Sequence, residues 1–308
     1  MQIQLPEKYS VEWMLKRLRT SSFGVLYRFE SDRVLRRPLW VAGTPVVVEF
    51  DLRRSGRLGF RLVSALPPAG TPVKRADLSR ELSAQVRFLW GLDDDAERYE
   101  SAIAADADLA PLVRRFGVLR IFRAPDVYEC LLIAVIGQQV SVRAAQAIRQ
   151  RLMEHLGTKI TVAGAAGEER YALLPSPGQL IEAGEEALRG QGLSRQKTVY
   201  LLEIARRATA AELERREFAR LSDEEALTRL CAIKGVGRWT GEIVLMFGLG
   251  RPDIFPAGDL GLQAAVQQLL GLPARPPEKT VRKIAERWAG WRSYAAFYLW
   301  TSLQARAL

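Results

Sequence analysis

Leu230-Cys231-Ala232-Ile233-Lys234-Gly235-Val236-Gly237-Arg238-Trp239-Thr240-Gly241 is the stretch that decides how this chain folds. A helix leads into it. Ser222 with Glu225 three residues on forms a capping box, and Ala226, Leu227, Leu230 and Ile233 draw an apolar stripe at helical spacing. Gly235 and Gly237 bracket Val236, and a second apolar helix runs on to Leu249. The pattern is helix, tight turn, helix. Glycine admits positive φ and lets a foreign backbone come close. The first amides of the second helix, near Gly237, lack helical partners and lie at the positive end of its dipole. Such a cluster suits a phosphate, and contacts of that kind carry no base sequence. Lys234, Gly235, Val236, Gly237 and Thr240 are then the candidate contacts to a nucleic-acid backbone. The same residues would equally make an ordinary interhelical turn with a glycine C-cap. Gly235-x-Gly237-x-x-x-Gly241 has the look of a dinucleotide fingerprint, but that motif needs a strand before its first glycine. A capped helix stands there instead, so no nicotinamide or flavin nucleotide is expected.

Beyond the second helix comes an apolar loop, Arg251-Pro252-Asp253-Ile254-Phe255-Pro256-Ala257-Gly258, and then Asp259. Asp259 lies 22 residues past Gly237 and opens a new helix. An aspartate there is an N-cap on its own merits. The apolar loop before it, as if packed, and a nucleic-acid backbone nearby make it equally a candidate for chemistry.

Composition agrees with the hairpin. Among 308 residues, 45 Lys and Arg against 35 Asp and Glu leave a net charge of +10, which points to a polyanionic partner, nucleic acid first and a membrane surface second. With one histidine, His155, and two cysteines, Cys130 and Cys231, the chain lacks the ligands for a four-ligand Cys/His zinc site or a cysteine-bound iron–sulfur cluster. His155 falls at a helix C-terminus, where a cation is at home. The cysteine usage suits a reducing compartment. The longest apolar run, Cys130–Ile136, is far short of a membrane span, and residues 1–15 carry no signal-peptide core. A soluble cytoplasmic protein is expected, at the nucleoid if the source is bacterial.

Toward the N-terminus the pattern changes. Val11–Leu18 has helical spacing, and Val25–Phe29, Val34–Val41, Val46–Leu52 and Leu58–Val63 read as strands of an antiparallel meander. Pro67-Pro68-Ala69-Gly70-Thr71-Pro72 is the strongest linker candidate. Helices are expected near 77–90, 94–105, 108–115, 126–138, 141–156, 177–189, 194–212, 222–233, 238–249, 259–270, 277–288 and 291–305. Ala163–Gly167 reads as a surface loop, and Arg215-Arg216 among Glu212, Glu214 and Glu217 as a solvated face. The fold class is therefore mainly α with an N-terminal α+β domain.

The hairpin, the Pro/Gly loop and Asp259 together resemble the helix–hairpin–helix DNA glycosylase superfamily. Further stretches are similar to its AlkA-type alkylpurine branch, the 3-methyladenine DNA glycosylases II. These are Ala134-Val135-Ile136-Gly137-Gln138-Gln139-Val140-Ser141, Gly192-Leu193-Ser194-Arg195-Gln196-Lys197, the run from Ala285 to Trp300, and the N-terminal Trp13-Met14-Leu15 with the strands behind it. The resemblance covers nearly the whole chain.

It implies a small antiparallel-sheet domain over 1–80 and a two-lobed helical region over 81–308. Lobe one is about 127–250, lobe two 81–126 with 251–308, and Asp259 lies at the cleft between them. It implies that Asp259 is the catalytic aspartate. Trp239 stands where lyase-active members carry a catalytic lysine, which implies a monofunctional enzyme that leaves an abasic site. Trp239 and Trp300 match aromatic pocket positions, and Ile243 and Thr301 stand where a relative has tyrosines. Gln138 and Gln139 match the loop that enters the duplex, where some relatives have leucine at the second position. The carbonyls of Cys231, Ile233 and Val236 match a site for sodium or potassium that bridges hairpin and phosphate. No cofactor is required for the chemistry. The expected activity is hydrolysis of the N-glycosidic bond of alkylated purines in damaged double-stranded DNA by a monomer. Two rivals stand: a binding module that uses the hairpin without catalysis, and an oxidised-purine glycosylase with lyase activity.

Among the tryptophans, Trp288, Trp291 and Trp300 form an aromatic stripe of which at least two are expected to be packing.

Overall fold

A computed structural model describes residues 1–7, 9–65, 75–164 and 167–305. The proposed linker at 67–72 lies outside the described residues. Strands β1 (Gln2–Gln4), β2 (Arg28–Phe29), β3 (Val34–Val41), β4 (Thr44–Asp51) and β5 (Arg57–Ala65) form one antiparallel sheet in the order β1-β5-β4-β3-β2, with α1 (Val11–Thr20) before β2. The expected strand over Val25–Phe29 is mostly absent. Gly24–Leu26 is a 3-10 turn, and only Arg28–Phe29 pairs. Leu26 is buried in the main core, so packing rather than pairing satisfies this run.

Helices follow in the order the spacing predicts: α2 (Arg75–Leu89), α3 (Ala96–Ala105), α4 (Ala110–Phe116), α5 (Val127–Gly137) and α6 (Val142–Leu156). A hairpin of β6 (Lys159–Gly164) and β7 (Gly167–Ala172) then interrupts them, where the sequence suggested only a loop. Next come α7 (Pro177–Gly190), α8 (Arg195–Thr209), the short α9 (Arg215–Phe218), α10 (Asp223–Cys231), α11 (Arg238–Phe247), α12 (Leu260–Leu269), α13 (Glu278–Ala285) and α14 (Arg292–Gln304).

Val46, Val47 and Val48 of β4 are all fully buried, which requires cover on both faces of the strand. Val46 and Val48 face the main core. Val47 packs with Ile160, Val162, Tyr171 and Leu173 in a second cluster under the β6–β7 hairpin. Arg36 of β3 ties that hairpin down through Glu49 at 2.9 Å and Glu169 at 2.7 Å. The apolar run in α5 is explained the same way. Cys130–Ile136 is buried on every side, the behaviour of a central core helix. Among the described residues no helix is long and apolar enough to cross a membrane. The main cluster runs unbroken from Met14 and Leu18 in α1 and Phe50 in the sheet to Leu131 in α5 and Phe297 in α14.

Arg215 departs from its expected solvated role. Its guanidinium lies 3.8 Å from the centre of the Phe88 ring, and burial pulls its pKa down. Arg216 stays exposed between Glu214 and Glu217.

Candidate active site and nucleic-acid interface

The capping box at α10 forms as read, with the Ser222 amide donating to Glu225 Oε2 at 2.8 Å and the Glu225 amide to Ser222 Oγ at 3.3 Å. The turn closes by a bond from the Val236 amide to the Ile233 carbonyl at 3.0 Å. Gly235 sits at φ 90°, and a Cβ there would collide with the Tyr200 ring. Gly237 is the N-cap of α11, and no side chain caps the first turn. Lys234 and Gly237 are exposed. Thr240 lines the hairpin groove but presents little surface to it. It is 2% exposed on the inner face of α11, and its hydroxyl accepts the Gln138 amide at 2.9 Å. Val236 can likewise offer only backbone, because its side chain is buried.

The loop after α5 is built against this hairpin. Gln138 turns inward, and its side-chain amide also donates to the Gly235 carbonyl at 2.9 Å. Lys197 of α8 donates to the carbonyls of Ile136 and Gln138 at 2.8 and 2.7 Å. It thereby neutralises the carboxyl end of α5. Gln139 is left at the exposed tip with a φ of 55°, a rare state for a residue with a side chain. The two glutamines therefore do different things: Gln138 braces the loop and Gln139 projects from it.

The Pro/Gly loop is packed, with Ile254 and Phe255 buried. Asp253 holds Arg292 by two bonds of 2.7 and 2.8 Å, and the Ile254 amide donates to Ser293 Oγ at 2.9 Å. These ties fix the start of α12 against the start of α14. Asp259 is the N-cap of α12, its Oδ1 accepting the Leu262 amide at 2.9 Å. The same carboxylate takes two indole N–H donors, Trp300 on Oδ1 at 3.0 Å and Trp239 on Oδ2 at 3.2 Å. The structure thus brings Asp259, Trp239 and Trp300 together. Trp288, by contrast, is fully buried against Phe255 and donates to Asp106 at 3.0 Å. Trp291 is partly buried against the core.

A cavity of about 420 Å³ opens beside the carboxylate, between α5 and α11 on one side and α14 on the other. Its walls include Cys130, Ile133, Trp239, Ile243 and Phe247, so it is largely apolar with Asp259 at its edge. A wider groove of about 1060 Å³ runs along the hairpin past Gln138 and Gln139. Asp259, Trp239 and Gly261 border both. A base in the cavity would place its sugar at the carboxylate while the strand follows the groove. Thr301 does not reach the cavity. It is buried and its hydroxyl donates to the Phe297 carbonyl at 2.7 Å. Arg17 of α1 does reach it, which the sequence reading did not foresee. A signal was present: Arg17 interrupts the apolar face formed by Met14 and Leu18.

Among the described residues no cluster of His, Cys, Asp and Glu side chains could hold a metal ion. The turn carbonyls are another matter. The Ile233 carbonyl spends one lone pair on the Val236 amide and keeps a second.

The hairpin and aspartate agree with the comparison of this sequence with known families. Residues 132–290 match the family described as HhH-GPD superfamily base excision DNA repair protein. The chain belongs to that superfamily. This HhH-GPD protein is 37% identical over 226 residues to a Mycobacterium tuberculosis protein described as a probable bifunctional transcriptional activator/DNA repair enzyme AlkA. The match spans 72% of this chain and 42% of that protein. A DNA-3-methyladenine glycosylase of Bacillus subtilis is 29% identical over 223 residues, 72% of each chain. Among solved structures, the 3-methyladenine DNA-glycosylase from Archaeoglobus fulgidus superposes with a TM-score of 0.84 at 26% identity, covering 100% of the HhH-GPD protein and 99% of that chain.

Proposed function

We propose that this HhH-GPD protein is a monofunctional DNA glycosylase that hydrolyses the N-glycosidic bond of alkylated purines in duplex DNA. The observation that carries the reading is the Asp259 carboxylate, held by two indoles and a backbone amide where the base cavity meets the hairpin groove.

Breaking the bond sends its electron pair to the base and leaves positive charge on the sugar. A fixed carboxylate beside the sugar stabilises that charge in a site with little water. The three donors orient Asp259, and the carboxylate oxygens can still accept from a water that attacks the sugar. Trp239 supplies an N–H to the carboxylate and has no amine with which to form a Schiff base, which supports hydrolysis without strand cleavage. The exposed amides of α11 and Lys234 suit phosphates of the strand, and Gln139 suits the space an extruded base leaves. The carbonyls of Cys231, Ile233 and Val236 could hold sodium or potassium, which would add positive charge beside a phosphate. No step of the bond cleavage depends on it.

The test is release of free base from randomly methylated duplex DNA by wild type and Asp259→Asn. Wild type is expected to release methylated purines and leave intact strands with alkali-labile sites. The variant is expected to lose about 10²–10³-fold in rate, the scale for one electrostatic partner of a transition state, while still retarding DNA. A protein that binds duplex but releases nothing would be a binding module. Covalent trapping by borohydride would instead indicate a lyase.

A further inference from the structure

The tip that carries Gln139 is held from two sides. It lies in the loop between α5 and the Ser141 N-cap of α6, at a φ of 55°. A residue with a side chain keeps that left-handed state only where its surroundings impose it. Lys197 of α8 donates to the Gln138 carbonyl at 2.7 Å and to that of Ile136 at 2.8 Å. Its ammonium thus serves the backbone that leads into the tip. The Gln138 side-chain amide ties the same loop to the hairpin, through the Gly235 carbonyl and the Thr240 hydroxyl at 2.9 Å each. Tyr200, about one turn beyond Lys197 on α8, packs its ring against Gly235. Helix α8 therefore supports the hairpin and the tip together, and Lys197, Tyr200, Gln138 and Gln139 all line the groove.

We propose that Lys197 is a positioning residue for base extrusion: through the Gln138 carbonyl it fixes Gln139 in the conformation that fills the gap in the duplex. The proposal rests on the glycosylase reading. Extruding a base costs unstacking and unpairing, and a side chain that occupies the vacated space offsets part of that cost. A side chain already ordered in the free protein loses no further conformational freedom when it does so. Without the Lys197 donors the carboxyl end of α5 loses its counter-charge, and the tip leaves its left-handed state for commoner ones. The ordering cost then falls on extrusion. Bond cleavage itself is spared, because Asp259 is held at the start of α12 by Trp239, Trp300 and the Leu262 amide. Lys197 thus acts through Gln139 and not on the reacting atoms.

The experiment measures single-turnover release at saturating protein from two duplexes, each with one 7-methylguanine. The lesion faces cytosine in the first and a tetrahydrofuran abasic analogue in the second, where an unpaired base is easier to extrude. Wild type, Lys197→Met, Gln139→Ala and the double variant are compared, with thermal unfolding of each. Lys197→Gln replaces Lys197→Met if the latter does not fold. Lys197→Met is expected to slow release about tenfold opposite cytosine and less than about threefold opposite the analogue. In the Gln139→Ala background the same change is expected to slow release opposite cytosine by less than about twofold, because the side chain it positions is gone. An equal loss on the two duplexes, no loss on either, or the same loss with and without the Gln139 side chain overturns the proposal and leaves the glycosylase reading intact. Failure of wild type to release the base from both duplexes overturns both.

Discussion

Asp259 serves two structures with one carboxylate. Oδ1 caps α12 through the Leu262 amide and also takes the Trp300 indole, while Oδ2 takes Trp239. Asparagine caps a helix about as well as aspartate. Asp259→Asn should therefore keep the cap and lose the acceptor for one indole, since an amide NH2 cannot accept an N–H, whereas Asp259→Ala should lose about 1 kcal/mol more with the cap. This pair separates charge from architecture. The hairpin glycines separate in a similar way. The sequence offers one reason for both, freedom of φ and close approach, yet each fits a different half of it. Gly235 has φ 90° and Tyr200 against it, so Gly235→Ala should cost about 1–3 kcal/mol of stability. Gly237 has φ −86° and nothing within 4 Å of an added Cβ. Gly237→Ala should lose only the small N-cap preference of glycine over alanine, less than Gly235→Ala loses, and should lose duplex affinity, because the methyl group occupies the approach of a phosphate. Thermal unfolding and fluorescence anisotropy on labelled duplex check both, and an equal loss of stability in the two variants would refute the distinction.

Elements with long periodic runs were legible in the sequence. The box at Ser222 and Glu225 and the stripe behind it place α10, and Val34–Val41 is β3 residue for residue. The β6–β7 hairpin was missed because its strands are short and their alternation, Ile160 and Val162 against Lys159 and Thr161, is brief. The buried triplet Val46-Val47-Val48 held the clue that something covers the far face of the sheet. Between sheet and helices stands a contact that no local pattern announces: Arg37 of β3, 1% exposed, pairs with Glu129 of α5. Burial pushes the Glu129 carboxyl up to about 7, with Arg37 opposing the rise. Its pKa is therefore higher folded than unfolded. The stability this gives is full below the unfolded pKa, about 4.3, and is lost as pH rises through about 7. Glu129→Gln cannot titrate. It keeps the uncharged form at every pH, so its stability lacks this dependence. Wild-type stability should thus fall relative to the variant between about pH 4 and pH 8. Urea unfolding across that range measures the difference, and a constant gap would refute the assignment.

On the scale of the molecule, the charge of +10 is not spread evenly among free side chains. Many arginines are committed to internal pairs, such as Arg123 with Asp94, Arg282 with Glu242 and Arg292 with Asp253. These fix loops and helix ends and cannot also neutralise phosphates without breaking those ties. The tryptophan pair shows the same limit on reading sequence. The resemblance marked Trp239 and Trp300 as pocket aromatics, but only the meeting of α11 and α14 at the start of α12 makes both of them donors to Asp259. Lys234 is different from the paired arginines. It is exposed at the hairpin and makes no ion pair among the described residues. Its contribution to binding should therefore be a plain exchange of protein charge for counterions. Each phosphate neutralised contributes about −0.9 to the slope of log affinity against log salt on duplex DNA. Lys234→Gln should weaken binding by a similar factor on every duplex sequence and make the slope shallower by about 0.9. Gly237→Ala, which alters an uncharged amide site, should weaken binding and leave the slope nearly unchanged. Titrations at several salt concentrations in an Asp259→Asn background, where turnover does not consume the DNA, separate the two. If the Lys234→Gln slope equals that of its parent, the hairpin does not meet the phosphates through that side chain, and the charge that draws DNA must lie elsewhere on the surface.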